Sequence, residues 1–212
     1  MLLNDFVSDL KYQLQFPLPG EVAQLKMAPS SRKSSEYYLQ QSNHPKKSSV
    51  LILLYEKSNV IHTLLTLRPS YSGVHSSQVS FPGGKIEEGE SIVQAAFREA
   101  NEEVGIAEAQ LEEIGQLSSL YIPASNYVVN PVIARINKAH TFVRNEREVE
   151  QLLEVSLSDL LDVNKMSTKH LETSYAGSVE APYYDFEGHH VWGATAMIIS
   201  EFNTLINRFF HR

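Results

Sequence analysis

Residues 81–106, FPGGKIEEGESIVQAAFREANEEVGI, contain a helix whose two ends and one face can all be read from residue types. Ser91 and Gln94 have the spacing of a capping box, and Gly105 stands where a C′ glycine ends a helix. At about 100° per residue, Ile92, Val93, Ala96, Phe97, Ala100 and Val104 form one apolar arc. Glu99 and Glu103 fall on the edge of that arc and Glu102 just beyond it, so the carboxylates border the buried face at a margin where a groove can form. Glu99 and Glu103 are a like-charge pair four residues apart, and Glu102 and Glu103 occupy the last turn, where the helix dipole disfavours anions. Each penalty is a few tenths to about 1 kcal/mol. A solvated acidic face would have to tolerate both penalties. A hard divalent cation would remove them, because carboxylate oxygens suit Mg²⁺ or Mn²⁺. Gly83 and Gly84, just ahead of the helix, permit positive φ and close approach of the backbone to a ligand or metal. A glycine loop followed by a carboxylate helix describes a metal–phosphate site more specifically than either part alone.

The surrounding chain supplies strands. SVLILLYE and VIHTLLTLR, separated by KSN, predict a β-hairpin. EEIGQLSSLYI and YVVNPVIARI predict a second strand pair, EVEQLLEVS a shorter strand, and LSDLLD one or two helical turns. APYYDF and HHVWG predict another hairpin with Gly188 in its turn. Two amphipathic helices frame the chain: Leu3, Phe6, Val7, Leu10 and Leu14 at one end, and Met197, Ile198, Phe202, Ile206 and Phe209 at the other. Between Met27 and Ser49 the composition turns polar and predicts a surface connection. Strands and helices follow one another without regular βαβ alternation, so the fold class is α/β, a mixed sandwich rather than a doubly wound sheet. The expected organisation is a segment 1–48, with a helix and the polar connection, packed on a domain spanning 49–212.

At 212 residues, 42% hydrophobic and 20% charged, the composition is that of an ordinary globular protein. A net charge of −7 argues against general nucleic-acid binding, which calls for a basic face. It does not argue against a small anionic substrate, because a bound cation reverses the local field. The chain has no cysteine, which excludes disulfides, thiolate metal sites and a cysteine nucleophile. The opening MLLNDFVSDLKYQLQF lacks the basic start of a secretory signal, and the apolar C-terminal segment is broken by Ser200, Glu201 and Asn203. The expectation is a cytoplasmic protein with no membrane role.

From Gly84 onward the spacing resembles the Nudix hydrolase box. Five residues separate Gly84 from Glu90 and seven more precede Arg98-Glu99, after which Glu102, Glu103, Gly105 and Ile106 complete it; Ala100 alone is smaller than usual. The resemblance implies an α/β/α sandwich with a mixed β-sheet and a loop–helix–loop catalytic motif, hydrolysing a diphosphate linked to another group. It implies Glu99, Glu102 and Glu103 as ligands of Mg²⁺ or Mn²⁺, the Gly83 carbonyl as a further ligand, and Arg98, paired with Glu90, as their orienting cation. Glu148, outside the box, resembles the acidic residue that some members use as general base, and Glu99 is its competitor.

Upstream, LLTLRPSYSGVHSSQVSFPGG (residues 64–84) resembles the signature of coenzyme A pyrophosphatases, through Leu64, Leu65, Thr66, Arg68 and Phe81 to Gly84. Pro69, Gly73 and Ser77 depart from it, and Gly73 stands where a basic residue is common. VWGATAMII, Val191 to Ile199, resembles the C-terminal region of the same branch, so the likeness runs from about Ser49 to Phe202. It implies cleavage of coenzyme A or its derivatives to 3′,5′-ADP and 4′-phosphopantetheine, with Arg68, His75, Gln78 and Gly84 on the substrate. A homodimer is the expected assembly by the same resemblance. The alternatives are another nucleoside diphosphate derivative, such as a sugar nucleotide or dinucleotide, and a non-catalytic nucleotide-binding module. His189 and His190 form no metal pattern and are expected to be structural, as are Tyr183 and Trp192 as packing residues.

Overall fold

The computed structural model describes residues 2–69, 78–137, 140–173 and 177–210. Helix α1 (Leu3–Gln13) is followed by two short helices, α2 (Gly20–Gln24) and α3 (Ser35–Leu39). The stretch expected to be a polar connection thus contains α3, and β1 (Lys46–Lys57) already begins inside it. Next come β2 (Val60–Leu67), β3 (Val79–Ser80), β4 (Gly83–Lys85) and α4 (Ile92–Val104). The chain continues through β5 (Leu111–Gln116), β6 (Leu120–Ile122), β7 (Tyr127–Ile136), β8 (Gln151–Ser156) and α5 (Leu157–Leu161). It ends in β9 (Met166–Thr173), β10 (Gly177–Phe186), β11 (His189–Trp192) and α6 (Gly193–Phe210).

Strand β1 organises the larger, mixed sheet. The hairpin with β2 exists, but only three residue pairs at its tip are joined, from Tyr55↔His62 to Lys57↔Val60. Lower down, β4 takes that edge of β1, pairing Gly83, Gly84 and Lys85 with Val50, Ser49 and Ser48. Strand β2 therefore peels away to pair with β8 and β3. On its other edge β1 runs parallel to β7 from Lys46 to Leu54. The predicted EEIGQLSSLYI strand is two strands, β5 and β6, both antiparallel to β7.

Alternation along β1 divides the core. Leu51, Leu53 and Tyr55 pack with Ala96, Ala100 and Val104 of α4, while Ile52 and Leu54 join Phe6 and Leu10 of α1 and Phe202 and Ile206 of α6. Helices therefore cover both faces of a mixed sheet, which is the α/β/α sandwich expected. The predicted hairpin around Gly188 is present as β10–β11, and β9, which the sequence reading did not anticipate, extends it to three strands.

The N-terminal segment is tied to α6 by a buried charge. Glu201, 0% exposed, accepts hydrogen bonds from the Gly20 N–H (3.0 Å), Gln24 Nε2 (2.8 Å) and the Ser118 N–H (3.2 Å). Three donors satisfy a carboxylate that would be costly to bury alone.

Candidate active site

Both predicted ends of α4 are built as their residue types dictate. Ser91 and Gln94 form a reciprocal capping box, and Gly105 closes the helix at φ 75° in the left-handed region. Ala95, Ala96 and Ala100 are fully buried, which brings α4 close to the sheet. Glu103 departs from the sequence reading. It was expected at the margin of the apolar arc, yet it is 4% exposed and lies among the buried residues of the helix. Glu99 is half-buried and Glu102 exposed.

The glycine pair also departs from expectation, since it forms strand β4 rather than a loop. A Cβ on Gly83 would lie 2.3 Å from the Ser49 carbonyl oxygen and 2.7 Å from Val50 Cα. A Cβ on Gly84 would lie 2.4 to 2.7 Å from the carboxylate of Glu99. The first glycine lets β4 pair with β1, and the second lets the carboxylate stand against the strand.

Arg98 joins three acids. Its Nε and Nη2 donate to Glu90 at 2.6 and 3.1 Å, and Nη1 donates to Glu99 at 2.9 Å and Glu102 at 3.1 Å. Nη2 also donates to the Lys85 carbonyl at 3.0 Å, which fixes the guanidinium to β4. The hydrogen bonds from Arg98 hold Glu90 below the usual carboxylate range. Glu103 accepts from the Gly83 N–H at 3.2 Å, and the Gly83 carbonyl accepts from Arg68 Nη2 at 3.5 Å. Burial pushes Glu103 up to about 8, since the Arg68 charge and the Gly83 N–H offset only part of it and Glu99 and Glu148 add repulsion. Burial likewise raises Glu99, against the pull of Arg98.

Glu148 is exposed in the turn before β8, and that turn is bound to the end of α4. The Asn145 N–H donates to the Glu103 carbonyl at 2.9 Å, the Val143 N–H to the Val104 carbonyl at 3.1 Å, and the Glu148 N–H to the Asn145 carbonyl at 3.0 Å. Asn145 Nδ2 reaches Glu148 Oε1 at 3.3 Å. Glu148 therefore contributes to the field at both Glu99 and Glu103 although 45 and more residues separate them in sequence.

Among the described residues, no three acidic or histidine side chains are gathered into a closed cage. Arg98 holds Glu99 and Glu102, and Glu103 is turned to Gly83. The donor chemistry nevertheless fits a hard divalent cation. The carboxylates are all oxygen donors, and Glu103 is a buried acid short of positive charge, a deficit that a cation relieves.

Beside the glycine strand lies a pocket of about 360 Å³. Arg68, Gln78 and Gly84, three of the residues expected to bind substrate, line it together with Gly83; His75, Gly73 and Ser77 lie outside the described residues. Its far wall comes from β7, the β6–β7 turn and the start of α6, with Trp192 a lining residue rather than packing alone. The sequence reading singled out VWGATAMII but assigned it no part in the site. No described helix is long and apolar enough to cross a membrane.

A model of the family described as NUDIX domain matches residues 45–175. A protein of Photorhabdus laumondii, described as an uncharacterized Nudix hydrolase NudL, is 31% identical over 201 residues, which is 94% of this chain and 95% of that protein. Its namesake in Yersinia pestis is 30% identical over 199 residues, 93% of this chain and 91% of that one. Among solved structures, a MutT/nudix family protein from Enterococcus faecalis superposes with a TM-score of 0.53 at 18% identity, over 91% of this chain and 76% of that chain. A C. elegans Ap4A hydrolase in a binary complex does so with a TM-score of 0.50 at 20% identity, over 78% of this chain and 96% of that chain. At these identities the superpositions speak for the fold alone.

Proposed function

The chain belongs to the Nudix family, and on that premise we propose that it hydrolyses the diphosphate bond of coenzyme A or its thioesters. The products are 3′,5′-ADP and 4′-phosphopantetheine or its acylated form. The observation that carries this reading is the convergence of Arg68 and Gln78, from the upstream signature, with Gly83 and Gly84 of the box on one pocket. Arg68 and Gly83, 15 positions apart in the chain, thus share with Gln78 and Gly84 a surface on which a diphosphate and its substituent can lie.

In this reading Glu99, Glu102 and Glu103 hold a divalent cation, Mg²⁺ or Mn²⁺, with the Gly83 carbonyl as a candidate fourth donor. When bound, such a cation neutralises the diphosphate, polarises phosphorus and lowers the pKa of a water. Arg98 orients Glu99 and Glu102 through the bonds described above. Arg68 meets a phosphate oxygen through its planar fork. Glu148 takes the proton of the attacking water, with Glu99 as the competing base. The exposure of Glu148 suits contact with water, and the hydrogen bond from Asn145 directs its carboxylate.

Two measurements test this function. Incubation with coenzyme A and Mg²⁺ or Mn²⁺, followed by mass spectrometry, should yield 3′,5′-ADP and 4′-phosphopantetheine in equal amounts. Intact coenzyme A alongside cleavage of a sugar nucleotide or dinucleotide would move the substrate to another nucleoside diphosphate derivative. Binding of a nucleotide with no turnover in either metal would mean a non-catalytic module. For the base, Glu148→Gln should lower kcat by about 10²-fold and flatten the acidic limb of its pH profile. A change of less than threefold with an ordinary profile would return the role to Glu99.

A further inference from the structure

The pocket beside the glycine strand has a composition that selects between the two halves of the substrate. Its walls include Val50, Val79, Ile122, Val129, Trp192 and Ile198, and no aspartate or glutamate is among its described lining residues. Among the described residues the cations that line it, Arg68 and Lys85, both adjoin the glycine strand: Lys85 is the last residue of β4, and Arg68 donates to the Gly83 carbonyl. Positive charge therefore lies where the pocket meets the carboxylate cluster, and the wall built from β7 and α6 is uncharged, with Thr195 beside its aliphatic and aromatic residues.

We propose that this pocket receives the uncharged arm of the diphosphate substrate, for coenzyme A the pantetheine chain with its thiol or acyl end, and that the nucleoside half lies outside it. The inference rests on the coenzyme A reading. Gly83 and Gly84 are common to the pocket and to the carboxylate cluster, so a diphosphate lying along β4 sends one substituent into the pocket and the other away from it. The nucleoside half of coenzyme A carries a 3′-phosphate. Removing that charge from water to place it against Val129, Trp192 and Ile198 is far costlier than burying a neutral chain. The pantetheine arm carries two amides, and hydroxyls such as those of Ser48 and Ser125 are in the lining to meet them. A volume of about 360 Å³ is at the lower end of pockets that enclose a small-molecule ligand, and suits a flexible chain. The C-terminal block VWGATAMII then has a role in recognition, because it brings Trp192, Ala194 and Ile198 to the pocket.

Ala194 offers the test. It is half-buried in the first turn of α6, where it lines the pocket and borders the core, so a larger side chain there reduces the space of the pocket. Dissociation constants for 4′-phosphopantetheine and 3′,5′-ADP, measured separately by titration calorimetry in Mg²⁺, should respond differently to Ala194→Trp. The expected result is at least tenfold weaker binding of 4′-phosphopantetheine and 3′,5′-ADP within twofold of wild type, in a variant that still melts cooperatively. Weakening confined to 3′,5′-ADP, equal weakening of both, or no change in either would overturn the assignment. Should Ala194→Trp fail to fold, Ala124→Trp on the β6–β7 turn narrows the pocket from another lining position and carries the same expectation. Coenzyme A left intact by the wild-type protein would remove the substrate reading and this inference together. Cleavage of coenzyme A with the wrong binding pattern would remove the inference alone.

Discussion

Glu103→Gln is expected to lower turnover by about three orders of magnitude and, in metal-free protein, to raise the melting temperature at alkaline pH. The first effect follows from removing one charged donor from the proposed cation site. Several kcal/mol of transition-state charge stabilisation are at stake, and about 4 kcal/mol corresponds to roughly 10³-fold in rate. The second follows from burial. Glu103 is 4% exposed and titrates at about 8 in the folded protein, against an ordinary value near 4.5. Because the folded state holds this proton more tightly than the unfolded chain, its contribution to stability is fully present below about pH 4.5 and is lost as pH rises through about 8. The difference amounts to about 5 kcal/mol at most. Glutamine keeps the shape and does not ionise, so the variant should lack this alkaline decline. Thermal melts of both proteins in EDTA between pH 5 and 9 check the stability arm, and a Mg²⁺ and Mn²⁺ titration of turnover checks the other. Wild-type turnover in the variant would defeat the assignment of Glu103 to the cation.

Neighbouring glycines should fail in opposite ways. At Gly83 an added methyl meets backbone on β1, at 2.3 Å from the Ser49 oxygen and 2.7 Å from Val50 Cα. Neither atom can move without opening the β1–β4 pairing. Overpacking of this kind costs about 3 kcal/mol, so Gly83→Ala should lower the melting temperature by roughly 6–12 °C. At Gly84 the atoms nearest the added methyl all belong to the far end of the Glu99 side chain. That carboxylate can swing away at little cost to the fold, but it then leaves its place beside Glu102 and Arg98. Misplacement by about 1 Å is enough for a loss on the order of 10²-fold in rate. Gly84→Ala should therefore melt within about 2 °C of wild type and be nearly inactive. Circular dichroism melts paired with kcat for each variant separate the two. An active Gly84→Ala protein would show that Glu99 does not need its observed position for catalysis.

The acidic helix shows how far residue types alone reach. Its capping box, its C′ glycine and its apolar arc depend on residues within a few positions of one another, and all were legible. The Arg98–Glu90 pair was legible through the family resemblance, which sets Glu90 just before the helix and Arg98 two turns into it. Four features were not. Gly83 and Gly84 look like a turn in sequence, and only the free edge of β1 makes them a strand. Glu103 sits at the edge of the arc on a helical wheel, and only the sheet and β4 closing over it make it buried. The β1–β2 hairpin was correct at its tip, yet β4 and β8 decided where its strands separate. The pocket was illegible as a unit, since Val50 and Ile198 stand 148 positions apart and meet only across packed layers.

What the sequence determined by itself is the helix with its caps and the spacing of the carboxylates. These depend on backbone geometry and side-chain contacts over one or two turns, whose energies do not require the rest of the chain. Tertiary structure alone decided which carboxylate lost its water, which strand edge the glycines filled and which distant residues came to line one pocket. Desolvation, strand pairing and cavity shape arise from groups brought together against the entropy of closing long loops, and only the folded chain holds them there.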